Sequence, residues 1–299
     1  MSWSLFNRSW VLYVGLLLFI WFSPNHVKLL ANAKAESLSR LTPVINYKTA
    51  FVDIQDHFDP KKLEDCIYYH RKVVEIIPSH RADAYAMLGF CYERAGQNAK
   101  AVGSYERSLK YNPSFFWTYY NLGTIYYNQK KYEKARYYFE RATEQDPIRA
   151  SMIPTMSKVY KDVGADFSGS YDIAGNLAQG YQRAFILLVV SAQQMHDYPF
   201  MLAASLQAAR RERAGDDIFF YYAGVAAYEM RMFDKAIVLL QRYLSAVPAG
   251  AEGMHYLGLA LQGMGQQRAG EELLKKAERL AIQNGPSLPD VSHVPAQFF

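Results

Sequence analysis

Three clusters in this 299-residue chain carry side chains able to do chemistry. The first is DIQDHFD, where Asp53, Asp56 and Asp59 stand beside His57. Carboxylates this close could hold a divalent cation, but the spacing fits no oxygen-ligand loop. Pro60 follows at a favoured first helical position, and a helix N-terminus attracts negative charge, so capping and dipole complementation account for the cluster. The second is Cys66 with His70, four apart on one helical face, followed by Cys91. No CxxC pair is present, which excludes zinc-ribbon and thioredoxin readings. The expectation is two buried free thiols, with a disulfide open to them if the domain is extracytoplasmic. The third, Arg210, Arg211 and Arg213, reads as a solvated helix end. There is no GxSxG, Gly-rich phosphate loop or HExxH, and the seven histidines are scattered. No catalytic residue, cofactor or metal is expected, and the chain reads as a non-enzyme.

The elements that must position any site are helices. In residues 116–149, Tyr119, Leu122, Gly123 and Tyr126 fall on one face of a first helix, and Ala135, Phe139 and Ala142 on one face of a second. A break at Asn128, Gln129 and Lys130 separates them, and Pro147 ends the pair. Gly123 and Ala135 lack bulk where the helices cross. Shifting the frame by about 34 residues recovers the pattern at Tyr85, Leu88, Gly89, Tyr92, Ala101, Tyr105 and Pro113. This pattern resembles the tetratricopeptide repeat, with Ser108 standing where the family usually has Ala. The resemblance implies an all-α fold, a right-handed superhelical solenoid of about six to seven helix-turn-helix units.

The rest of the chain is read in that frame. Residues 1–24 are expected to form an uncleaved N-terminal membrane anchor, or else a signal peptide. The apolar run Trp10–Phe22 is short for a span, but Trp3 and Trp21 lie about 27 Å apart along a helix, and Arg8 can snorkel. Ala31-Asn32-Ala33 is the alternative cleavage site. Residues 25–46 form a juxtamembrane linker, and residues 47–284 a solenoid with units beginning near 47, 82, 116, 150, 183, 217 and 251. The first unit is degenerate. In the unit near 150, Gly164, Gly169, Gly175 and Gly180 weaken the second helix. The apolar run Ala184–Val190 reads as a buried helix rather than a second span. Gly224, Ala236 and Pro248, then Gly258, restore the frame, and residues 285–299 are expected to be a disordered tail. By analogy with single-span relatives, the expected location is the inner membrane, with the repeats in the periplasm and residues 3–22 in the lipid bilayer.

The resemblance further implies a concave groove lined by the first helix of each unit. Its family positions here are Asp83, Ala86, Phe90, Glu93 and Arg94, then Trp117, Tyr120, Thr124, Tyr127 and Asn128, with Asn121 facing a ligand backbone. The carboxylate clamp of chaperone-binding members is absent, because those positions hold Ala86, Phe90 and Trp117. The expected contact residues for other proteins or peptides are Phe90, Trp117, Tyr120, Asn121 and Tyr127, with a later patch at Tyr221 and Tyr228. Trp117 is expected at the surface, while some other rings pack between repeats. A net charge of +5 with no basic stripe argues against nucleic acid. The functional expectation is a membrane-anchored scaffold that assembles an envelope complex. The alternatives are a periplasmic holdase or a structural subunit of a motility or secretion machine, in which the chain joins a large complex.

Overall fold

The computed structural model describes residues 60–76, 81–145, 173–211 and 215–296. Among these, eleven helices and no strand are present: α1 Pro60–Ile76, α2 Arg81–Arg94, α3 Asn98–Tyr111, α4 Phe116–Asn128, α5 Tyr132–Glu144, α6 Ile173–Gln194, α7 Tyr198–Ala209, α8 Ile218–Glu229, α9 Phe233–Ala246, α10 Ala251–Gly263 and α11 Gln267–Asn284. Helices α2–α3, α4–α5, α6–α7, α8–α9 and α10–α11 pack as hairpins, with α1 against α2. The first helix of a hairpin also meets the first helix of the next, α2 with α4, α6 with α8 and α8 with α10. Between α4 and α6 the link is instead a side-chain contact, Trp117 against Gly180, and with it the first helices make one layer.

The hairpins repeat because the same three devices recur. A glycine on the first helix meets a large side chain on the second: a Cβ at Gly89, Gly123 or Gly224 would lie 2.6 Å from Tyr105, Phe139 or Leu240. A small residue on the second helix, Ala101, Ala135 or Ala236, is fully buried. Each turn is closed by a backbone bond from the residue after the turn to the carbonyl five residues earlier. Gln97 donates to Tyr92 at 2.8 Å, Lys131 to Tyr126 at 2.9 Å, Asp197 to Ala192 at 3.0 Å, Met232 to Ala227 at 2.9 Å and Gln266 to Leu261 at 2.9 Å. The turn residue is left-handed in all five: Gly96, Lys130, His196, Arg231 and Gly265. Three of the five are not glycine and carry a local cost of about 1–2 kcal/mol each, offset by the hairpin packing around them.

Several expectations are corrected. The single-pass membrane placement is overturned: among the described residues no helix is long and apolar enough to cross a membrane. The anchor segment 1–24, the linker 25–46, the start of the unit near 47 and Pro147 lie outside the described residues. Most of the unit near 150, residues 150–172, also lies outside the described residues; α6 is one helix from Ile173 to Gln194 and packs directly against α5. Gly180, read as a weak point, lies inside α6, where a Cβ would overlap the Trp117 ring; its lack of a side chain is what lets α6 settle on α4. Cys66 and Cys91 are not free thiols but a disulfide joining α1 to α2, with Cα atoms 6.1 Å apart. His70 Nδ1 donates to the Cys66 carbonyl at 2.8 Å, and burial lowers its pKa. The disulfide staples α1 to α2, with the His70 ring packed beside it.

Arg211 is also not a solvated end. It pairs with buried Asp216 at 2.7 Å and stacks on Tyr181, Phe185 and Phe219, with its guanidinium carbon 4.2 Å from the Phe185 centroid. A cation held this way replaces lost hydration with ring faces and one carboxylate, and so joins α6 to the α7–α8 turn. Beyond α11, residues 285–296 are placed rather than disordered. Val294 and Ala296 are buried in the main core, and Leu288 and Val291 pack against it.

Candidate functional site

The layer of first helices, α2, α4, α6, α8 and α10, holds the expected contact residues, and most of them are buried. Phe90 and Trp117 are 1% exposed, Tyr120 and Asn121 are fully enclosed, and Tyr127 and Tyr221 are 7% and 6% exposed. Tyr228 alone of the set is half-buried. The expected surface placement of Trp117 is therefore corrected. It sits under Gly180 of α6 and makes edge contacts with Phe116 and Tyr120 at 4.9 and 5.5 Å. The reason is geometric: the side-chain-free stripe of α6 at Gly180 lets the next unit close over the indole.

Between α2 and α4 the layer carries a polar chain. The Tyr105 hydroxyl donates to Glu93 Oε2 at 3.0 Å, and Thr124 Oγ1 donates to Glu93 Oε1 at 3.3 Å. Asn121 hydrogen-bonds the Tyr105 oxygen in turn, so Asn121 serves an internal network rather than facing solvent. Loss of water around Glu93 pushes its pKa up to about 8, against the pull of the Tyr105 and Thr124 hydroxyls and of Arg94. The Tyr120 hydroxyl, buried and without a hydrogen-bond partner among the described residues, is raised by the same desolvation and lies in the fields of Arg183 and Glu93.

At the C-terminal end of α4, Asn128 is exposed and uses its whole amide on one residue of the tail. Its Nδ2 donates to the Val294 carbonyl at 2.7 Å, and its Oδ1 accepts the Val294 N–H at 3.0 Å. A side-chain amide that satisfies both polar groups of a single residue reads an extended backbone without regard to its side chain. At the far end of the layer, Glu252 in the first turn of α10 accepts the Ser287 N–H at 3.0 Å and also the Ser287 hydroxyl. Burial opposes ionisation of Glu252, but the hydrogen bonds from Ser287 and Leu288 outweigh it and hold the carboxyl below its ordinary range. A cleft lined by Tyr221, Glu252, His255, Tyr256 and Lys275 opens beside this anchor.

Sequence reasoning placed Asn128 among the groove-facing positions but not among the expected contacts, and gave Glu252 no role. The signal for Asn128 was its register, the last turn of the first helix. Nothing local marked Glu252, whose partner lies 35 residues away.

Known proteins place the fold. Tetratricopeptide repeat models match residues 116–148, 92–130 and 219–249, and the chain carries tetratricopeptide repeats in these segments. The structure is similar to that of YrrB, described as a TPR protein with an unusual peptide-binding site. The TM-score is 0.52 at 16% identity, over 72% of this chain and 93% of that one. It is also similar to MamA, with a TM-score of 0.51 at 18% identity, over 71% of this chain and 99% of that one. At these identities the likeness is one of fold. Among curated proteins, the uncharacterized protein ycf37 of Pyropia yezoensis is 38% identical over 60 residues. That match covers 20% of this chain and only 34% of the relative.

Proposed function

We propose that this chain is a protein-binding scaffold that takes an extended segment of a partner along the layer of α2, α4, α6, α8 and α10. The observation that carries the reading is Asn128, whose amide engages both backbone groups of one extended residue. The buried set Phe90, Trp117, Tyr120 and Asn121 fixes the floor beneath that site, while Tyr127, Tyr228 and Asn128 supply the contacting rim. A groove of this kind recognises chain conformation first and side chains second, which suits a scaffold that assembles defined partners.

The test is in-cell photocrosslinking from single substituted positions. A photoreactive residue at Tyr228 or Asn128 should give one or a few constant protein adducts. The same residue on the exposed outer positions Tyr137 and Val238, 51% and 64% exposed, should give none of them. Many variable adducts from the inner positions would point instead to a holdase that engages unfolded chains at large. Equal adducts from inner and outer positions would sink the groove reading altogether.

A further inference from the structure

The tail leaves α11 at Gly285, whose left-handed φ of 71° turns the chain back over the first helices. Its course is fixed at both ends. Ser287 is held by Glu252 of α10, and Val294 by Asn128 of α4. Between them the Ser292 N–H donates to Asp290 Oδ1 at 2.8 Å, closing a local turn. Asp290 lies in the field of Arg183 on α6, which helps keep its carboxyl low after the Ser292 hydrogen bonds. Apolar side chains are seated along the path, with Val294 fully buried and Ala296 at 6% exposure. Pro286, Pro289 and Pro295 keep the segment from becoming helix and lower the entropy of holding it extended.

These are the contacts of a bound peptide, made in cis. We infer that residues 286–296 are the resident occupant of the groove, a built-in competitor that a partner segment must displace. The inference rests on the peptide-binding reading given above. Its ligand class follows from what is seated: a non-helical, proline-interrupted segment with an acidic residue at a turn four positions before a buried Val, followed by small apolar residues. The tail is suited to leave. Asn128 and Ser287 are both exposed, and hydrogen bonds of this kind contribute about 1 kcal/mol each. A short tether gives a local concentration on the order of millimolar. For a segment whose separate-chain Kd is about 100 μM, occupancy in cis would weaken binding in trans about tenfold.

The experiment uses the full chain and a fluorescein-labelled peptide, GPSLPDVSHVPA, corresponding to residues 285–296. Anisotropy titrations compare the wild type with Val294→Asp, which places a charge in an apolar seat and frees the tail. Val294→Asp is expected to bind the peptide about tenfold tighter than the wild type, and adding Asn128→Ala should remove that gain. Ser287→Glu sets a second carboxylate against Glu252 and should release the tail from its other end, with the same sense of change. Both changes lie on the tail, outside the helices, and circular dichroism checks that the helices persist. Equal affinity in the wild type and both tail variants, still lost with Asn128→Ala, would overturn the competitor while leaving the groove reading standing. No binding to any of them, or binding indifferent to Asn128, would overturn both.

Discussion

Hairpins α4–α5 and α8–α9 are built on one plan and put it to different ends. In each, a first-helix glycine meets a large side chain of the second helix, Phe139 in one and Leu240 in the other. In each, a non-glycine residue, Lys130 or Arg231, takes the left-handed turn. The inner positions then diverge. Where α4 places Asn121, Thr124 and Asn128, α8 places Tyr222, Val225 and Glu229. The first set builds a polar network and a backbone-reading amide, whereas among the buried side chains of α8 the hydroxyls of Tyr221 and Tyr222 are the only polar groups. The repeat thus dictates spacing and crossing, while the amide that reads the Val294 backbone belongs to the α4–α5 unit alone of the two.

The comparison can be broken first through the rings. Trp117→Ala should cost about 3–5 kcal/mol in chemical denaturation, because the indole is enclosed by α6. Tyr228→Ala, at a half-buried rim, should cost about 1 kcal/mol. Equal losses would show that the two units do not differ in this way. A second comparison uses the crossings: Gly123→Ala pushes a methyl into the rigid Phe139 ring, and Gly224→Ala pushes one into the more adaptable Leu240. Thermal melts should show about 1–3 kcal/mol lost at Gly123 and clearly less at Gly224.

The smallest effect sharpens the polar difference. Glu93 has its folded pKa raised to about 8 from an unfolded value of 4.5, so the folded state holds the proton more tightly. Stability is then unpenalised below the unfolded value and falls as pH rises through that window, by about 1–2 kcal/mol once partial solvation is allowed for. Urea titrations between about pH 5 and pH 8 should show this fall. Glu93→Gln should flatten it, and a slope unchanged in that variant would place the titration elsewhere.

The helical hairpins were legible because their determinants are local. Gly89, Gly123 and Gly224 recur at the crossing, and each lies within one unit of its partner. The burial of Trp117 was not legible, since it depends on Gly180 arriving from a helix whose start the frame had misplaced. The same holds for Arg211, whose partners come from α6, α8 and the turn before α8, and for Cys66 and Cys91, whose pairing depends on how α1 lies along α2. Asn128 could be placed on the right face from its register, but its partner is 166 residues away and no periodicity points there.

That separation has a consequence for how the molecule comes apart. An array of hairpins in contact only with neighbours can lose its last unit without informing the first, since its cooperativity passes step by step. Here the segment after α11 returns to α4 and ties the last hairpin to an inner one, so the stretch from α4 to α11 is closed into a ring of dependencies while α1 to α3 stay outside it. Fraying of α10–α11 removes Glu252 from Ser287, slackens the strap and is felt at Asn128, several units away. The α10–α11 hairpin thereby reports its own integrity to the middle of the array.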